Sequence, residues 1–127
     1  MKSSDIKRNL NLKDDIMDIR PINADYSVSE QITVDDIADV KAQGFKSIVC
    51  HRPDEEQPGQ PSFGDIKAAA DAAGIEIRHI PVTSAGLTMD AVRDMVDAVE
   101  EMSKPMLGYC RSGARSTVIF KNAEGQM

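Results

Sequence analysis

Met106-Leu107-Gly108-Tyr109-Cys110-Arg111-Ser112-Gly113-Ala114-Arg115-Ser116 is the stretch on which the reading of this chain turns. Met106–Tyr109 is a short apolar run and reads as a buried strand. It passes straight into a loop with a cysteine, two arginines, two serines and a glycine, and Thr117–Phe120 then read as a final helix. Strand, tight loop and helix in that order place Cys110 at the carboxyl end of a strand, where ligands of open α/β sheets sit. The amides of Ser112 through Ser116 would face the loop's centre at the positive end of the helix dipole. Gly113 can take the positive φ that lets the loop curl. An anion or thiolate held there meets several N–H donors and Arg115. Cys110 is therefore expected to have a depressed pKa, within the ~3.5–7.5 range of activated thiols, and to act as a nucleophile. The competing reading is a buried strand-end cysteine beside solvated arginines. The strand before, the helix after, the enclosed glycine and the following serine argue against it.

Working outward, the same alternation recurs. Asp18–Ile22 and Tyr26–Ser29 read as strands joined by a turn. Thr33 caps a helix whose Val34, Ile37 and Val40 share a face, and Gly44 ends it. Phe45–Cys50 is a second buried strand, leading into Cys50-His51-Arg52-Pro53 and an acidic, Pro-rich loop, Asp54–Pro61. Ser62 and Asp65 have capping-box-like spacing and open a helix through Ile66, Ala69, Ala70 and Ala73 to Gly74. Ile75–Val82 is the next strand. Thr88 caps the clearest helix, with Val92, Met95, Val96, Val99 and Met102 on one face. Strands alternating with helices after an opening hairpin specify an α/β fold with a mainly parallel sheet. Both cysteines end predicted strands, so both are expected at one rim.

Composition narrows the partners. The chain has 127 residues, 41% hydrophobic and 28% charged, as one globular domain would. Its net charge of -6 repels nucleic acid and anionic membranes, and 4% aromatics without Trp offer no base-stacking platform. Two cysteines cannot build a disulfide scaffold or a cysteine-rich zinc site. A zinc site from Cys50, His51, His79 and Cys110 lacks any recognised spacing, and no cofactor is implied. With no signal-length or membrane-length apolar run, the expected location is the cytoplasm. Residues 1–17, with Ile6, Leu10, Leu12 and Ile16 among charges, are an N-terminal extension without an assigned element, and 18–127 form a single catalytic domain. The chain ends soon after the last helix opens, so an exposed part of the sheet is expected, covered in a homodimer or by a fused or partner domain.

The run Tyr109–Ser116 resembles the active-site loops of cysteine-dependent phosphatases and of rhodanese-type sulfurtransferases. With the hairpin, the helix ending at Gly44, Ser47-Ile48-Val49-Cys50-His51-Arg52-Pro53-Asp54 and His79-Ile80-Pro81-Val82 in order, the layout resembles one family over about residues 18–120. That family is the phosphatase-like domain of the beta-lactamase-hydrolase-like proteins (DUF442), whose members are described both as phosphatases and as sulfurtransferases. The resemblance implies a dual-specificity/tyrosine-phosphatase-like fold, with about five strands flanked by helices. It also implies Cys110 and Arg115 as catalytic residues, and Arg111, Ser112, Gly113, Ala114 and Ser116 as the anion-binding loop.

Two departures from the phosphatase pattern bear on the reaction. Phosphatase loops of this type hold five residues between cysteine and arginine, whereas Arg111, Ser112, Gly113 and Ala114 make four here, as in rhodaneses. Phosphatases of this fold also carry an Asp after the His-x-Pro-x strand. Here Val82-Thr83-Ser84-Ala85-Gly86-Leu87-Thr88 has no carboxylate before Asp90, a weak-acid candidate at best. A general acid is typically worth ~10²–10⁴-fold in ester cleavage, and sulfur transfer needs none. The leading expectation is therefore a sulfurtransferase that moves a sulfane sulfur through a persulfide on Cys110 to a thiol acceptor. A phosphomonoester phosphatase working through a phosphocysteine is the alternative, and a non-catalytic anion-binding or redox-sensing module the third. Cys50 is read either as a small buried core residue or as a resolving thiol at the rim. Arg52 is read as rim charge or as a surface salt-bridge partner of Asp54 or Glu55, and His79 as a hydrogen-bonded strand residue.

Overall fold

In a computed structural model the described residues are 18–127, so the N-terminal extension lies outside them. In chain order the elements are β1 (Arg20–Pro21), β2 (Tyr26–Ser29), a 3-10 turn (Val34–Asp36) running into α1 (Ile37–Ala42), β3 (Ser47–Cys50), α2 (Phe63–Ala73), β4 (Glu76–His79), α3 (Met89–Glu101), β5 (Met106–Tyr109) and α4 (Ala114–Gln126). The sheet order is β1-β2-β5-β3-β4, with β1 antiparallel to β2 and every other pairing parallel. Five strands, mainly parallel, with helices on both faces are the expected α/β arrangement. Among the described residues no helix is long and apolar enough to cross a membrane.

Side-chain alternation divides the core. In β3, Ile48 and Cys50 face a layer built on α1 and α2, while Val49 faces the layer of α3 and α4. β5 does the same with Leu107 and Tyr109 on one side and Met106 on the other. α3 buries Val92, Met95 and Ala98 along one stripe, which is why its heptad-like spacing is so legible. Thr88 Oγ1 accepts the Ala91 amide at 3.1 Å and starts that helix; Ser62 does the same for Asp65 at the start of α2.

Register positions the site. Ser29, Tyr109, Cys50 and His79 stand on one rung across the four parallel strands. The residues that follow each of them therefore emerge along one edge, Cys110 beside His51. Tyr26 ties the final helix to this frame. Its ring stacks on Phe120 with centroids 4.0 Å apart, and its hydroxyl donates to the Ser116 carbonyl at 3.2 Å. Only glycine fits opposite that ring: a Cβ on Gly108 would lie 2.0 Å from the Tyr26 hydroxyl oxygen.

Several boundaries differ from the sequence reading, beginning with the opening strand, which spans Arg20–Pro21 and not Asp18–Ile22. The strand expected from Phe45 begins at Ser47. The strand expected to run to Val82 ends at His79, because Pro81 has no N–H to give and the pairing continues only through the Ile80 and Val82 amides to Cys50 and His51. The final helix is much longer than Thr117–Phe120 and starts at Ala114, since Ile119, Phe120 and Ala123 continue a buried stripe past the apolar run. Arg115 and Ser116 consequently sit in its first turn.

Candidate active site

Cys110 follows the last residue of β5 and is fully buried. In the loop after it the Arg111 and Ser112 carbonyls face away from the sulfur. The Arg111 carbonyl accepts the Gln31 amide at 3.3 Å, and the Ser112 carbonyl accepts Arg20 Nη2 at 2.6 Å. Gly113 adopts φ +96°, which an L side chain rarely takes, and closes the turn so that its amide donates to Cys110 Sγ at 3.0 Å. A side chain there would also strike Arg20, whose Nη2 lies 2.1 Å from the Cβ position. The Ala114 amide is held by Ser112 Oγ at 3.3 Å. Burial pushes the Cys110 thiol up. The backbone amides of Ser116, Ser112 and Gly113 outweigh burial, leaving its pKa below the ordinary thiol value.

Arg115 comes back over the sulfur from α4. Its Nη1 donates to Glu56 Oε2 and to the Val82 carbonyl, both at 2.7 Å, and its Nη2 donates to Glu56 Oε1 at 2.9 Å. Glu56 also accepts from Arg52 Nε at 2.9 Å. Hydrogen bonding by Arg115, aided by Arg52 and opposed by burial, lowers the Glu56 carboxyl to about 2. The Arg115 pKa rises in return, chiefly through Glu56 and further through the charge of the nearby Cys110 sulfur. Beside this group Val82, Leu87, Ala114 and Val118, with Thr83, Ser84 and Gly86, line a pocket of about 260 Å³ that has Arg115 as its charged wall.

The sequence candidates fare differently. Of the loop, the amides of Ser112, Gly113 and Ser116 bear on Cys110 and Arg115 lies close by, whereas Arg111 is exposed and the Ala114 amide bonds to Ser112 Oγ. Arg52 is 4% exposed and spent on Glu56, Gln31 and Gln57, so it anchors the acidic loop. Cys50 ends β3 on the same rung as Tyr109, but its side chain turns into the α1–α2 layer and not toward the Cys110 loop as the resolving reading required. It is 2% exposed and packed in the α1–α2 core, where it donates to the Arg52 carbonyl at 3.4 Å and burial pushes its pKa up. Asp90 is exposed in the first turn of α3 and paired with Arg93 on the same helix, with no described contact to the Cys110 loop. His79 is the hydrogen-bonded strand residue expected, bonding the Arg52 carbonyl through Nε2 at 2.9 Å and stacking on Phe63. His51 is wholly buried, and burial lowers its pKa to about 4, so it is neutral at physiological pH with Nδ1 donating to the Ile80 carbonyl. Among the described residues no group of three or more His, Cys, Asp or Glu is placed to hold a metal. Arg20 and Glu56 were not read from the sequence. The carboxylate four residues after Arg52 was the one signal for Glu56.

Comparison with known proteins agrees with this fold. A Neisseria meningitidis phosphatase-like protein of solved structure is 31% identical, with a TM-score of 0.75 over 86% of this chain and 79% of that one. A DUF442 phosphatase-like protein of Shewanella putrefaciens is 15% identical with a TM-score of 0.74, covering 94% of this chain and 78% of the other, a likeness of fold alone. The fold is thus that of the dual-specificity and tyrosine phosphatases. The beta-lactamase hydrolase-like protein of Agrobacterium fabrum is 35% identical over 99 residues, 78% of this chain, and this chain spans 23% of its length. Residues 18–126 match the family described as the beta-lactamase hydrolase-like protein, phosphatase-like domain, and the chain belongs to that family.

Proposed function

We propose that the domain hydrolyses phosphate monoesters of weakly basic alcohols, such as phenols, through a phosphocysteine on Cys110. The observation that carries this reading is Cys110 at the start of a loop whose Gly113 amide donates to its sulfur at 3.0 Å and whose amides lower its pKa, with Arg115 beside it, in a chain 31% identical to a phosphatase-like protein. Cys110 Sγ attacks phosphorus, and the ester P–O bond breaks with its electron pair going to the leaving oxygen. Loop amides and Arg115 hold the three remaining oxygens as charge shifts among them. Water then attacks phosphorus, its proton passes to solvent, and the P–S bond breaks to restore the thiolate and release phosphate. No carboxylate lies in Thr83–Thr88 to protonate a departing alkoxide, which restricts the reaction to leaving groups that depart without one. The apolar pocket beside Arg115 suits such a group, since a cavity of ~150 Å³ already accepts benzene. With aryl and alkyl phosphates compared at one pH, kcat/KM should favour the aryl ester by about 10²-fold or more. Equal rates for the two would overturn the reading.

A second reading, sulfur transfer, is favoured by one specific feature, the four-residue ring from Cys110 to Arg115. There the thiolate attacks the outer sulfur of a donor such as thiosulfate, the S–S bond breaks, and sulfite leaves with the electron pair. A thiolate acceptor then takes that sulfur and Cys110 departs as thiolate. This route needs no acid. The placement of the relatives outweighs ring length here: at 31% identity the Neisseria protein is phosphatase-like. The redox-sensing reading draws no support from the inward-turned Cys50.

A further inference from the structure

We infer that Glu56 is a positioning residue that aims Arg115 at the anion bound over Cys110. A guanidinium carries five N–H donors in a rigid planar fork. In Arg115 both Nη1 donors are taken, one by Glu56 and one by the Val82 carbonyl, and one Nη2 donor by the other Glu56 oxygen. What remains is the Nε–H and the second Nη2–H, a parallel pair on one edge. Among the described residues no group accepts a hydrogen bond from this edge, and the Cys110 sulfur lies near enough for its charge to raise the Arg115 pKa. A parallel N–H pair matches two oxygens of a tetrahedral oxyanion. Glu56 thus occupies the end of the fork and leaves the side of it for substrate.

Glu56 can do this because it is held from behind. Arg52 Nε donates to Glu56 Oε1 at 2.9 Å, and Arg52 itself is buried and fixed by Gln31 and Gln57 at 3.1 Å each. The Arg52–Glu56–Arg115 row links the acidic loop after β3 to the first turn of α4 across 59 positions of sequence. The inference rests on the reading of Cys110 and Arg115 as an oxyanion site, whichever group is transferred there.

Vanadate binding to the full chain tests it, alongside aryl phosphate kinetics. Glu56→Gln keeps the shape and loses the charge, and should weaken vanadate binding by about tenfold or more. Glu56→Asp should restore part of the loss. In an Arg115→Lys background, Glu56→Gln should change vanadate affinity by less than about threefold, because a residue that acts through the fork has nothing left to aim. A merely structural Glu56 would cost the same in both backgrounds, and that result overturns the inference. So does Glu56→Gln binding vanadate as well as, or more tightly than, the unaltered chain, since Glu56 would then compete with the anion instead of placing it. No vanadate binding by the unaltered chain would overturn the oxyanion site itself, and this inference with it.

Discussion

Cys110→Ser should lose turnover of any aryl phosphate by about 10⁴-fold or more, the scale on which removing a covalent nucleophile acts. Serine keeps the size of the side chain, so the loop amides remain and the loss reports the thiolate itself. The physical basis is the set of hydrogen bonds from Ser112, Gly113 and Ser116 that lowers the Cys110 pKa in spite of burial. Cys50→Ser should stay within about threefold, because Cys50 is neutral in a core layer on the other side of the sheet. The same contrast should appear in alkylation at pH 6, where iodoacetamide should modify Cys110 and spare Cys50. Turnover retained in Cys110→Ser would remove the nucleophile from the account.

Arg115→Ala should lower kcat/KM for an aryl phosphate by about 10²–10³-fold, the cost of deleting a preorganised oxyanion donor. Arg115→Lys should recover little of this, because an ammonium lacks the paired N–H edge that Glu56 and Val82 leave open. Steady-state kinetics and a thermal melt on both variants check the claim together. A variant that stays folded and keeps a near-native kcat/KM would show that the loop amides suffice without the guanidinium.

The nucleophile loop was legible because its signals are local: an apolar strand, a cysteine, a turn glycine and a helix start, all within Met106–Ser116. The rim was legible too, since the strand ending at Cys50 does lie beside the one ending at Tyr109. What that reading overlooked was parity. Cys50 shares its face with Ile48, and both point into the α1–α2 layer, so strand alternation alone could have turned it away from Cys110. The Asp90–Arg93 pair also has ordinary helical spacing. Arg20 and Glu56 were of another kind. Their partners lie 92 and 59 residues away, and only the folded sheet brings β1 and the loop after Arg52 onto the same rim. No periodicity carries that information. Ring length was weighted toward sulfur transfer, yet Arg115 sits in the first turn of α4 with its guanidinium held by Glu56 and the Val82 carbonyl.

The central claim is that Cys110 carries a phosphoryl group during the reaction. Rapid acid quench of the protein with an aryl phosphate, followed by mass analysis of the peptide containing Cys110, tests it most directly, with thiosulfate in a parallel sample. The account predicts one added phosphoryl group on Cys110 in the first sample, absent from Cys110→Ser, and little or no added sulfur in the second. An added sulfur atom on Cys110 from thiosulfate, with no phosphoryl adduct from the ester, would contradict it and establish sulfur transfer as the chemistry of this loop.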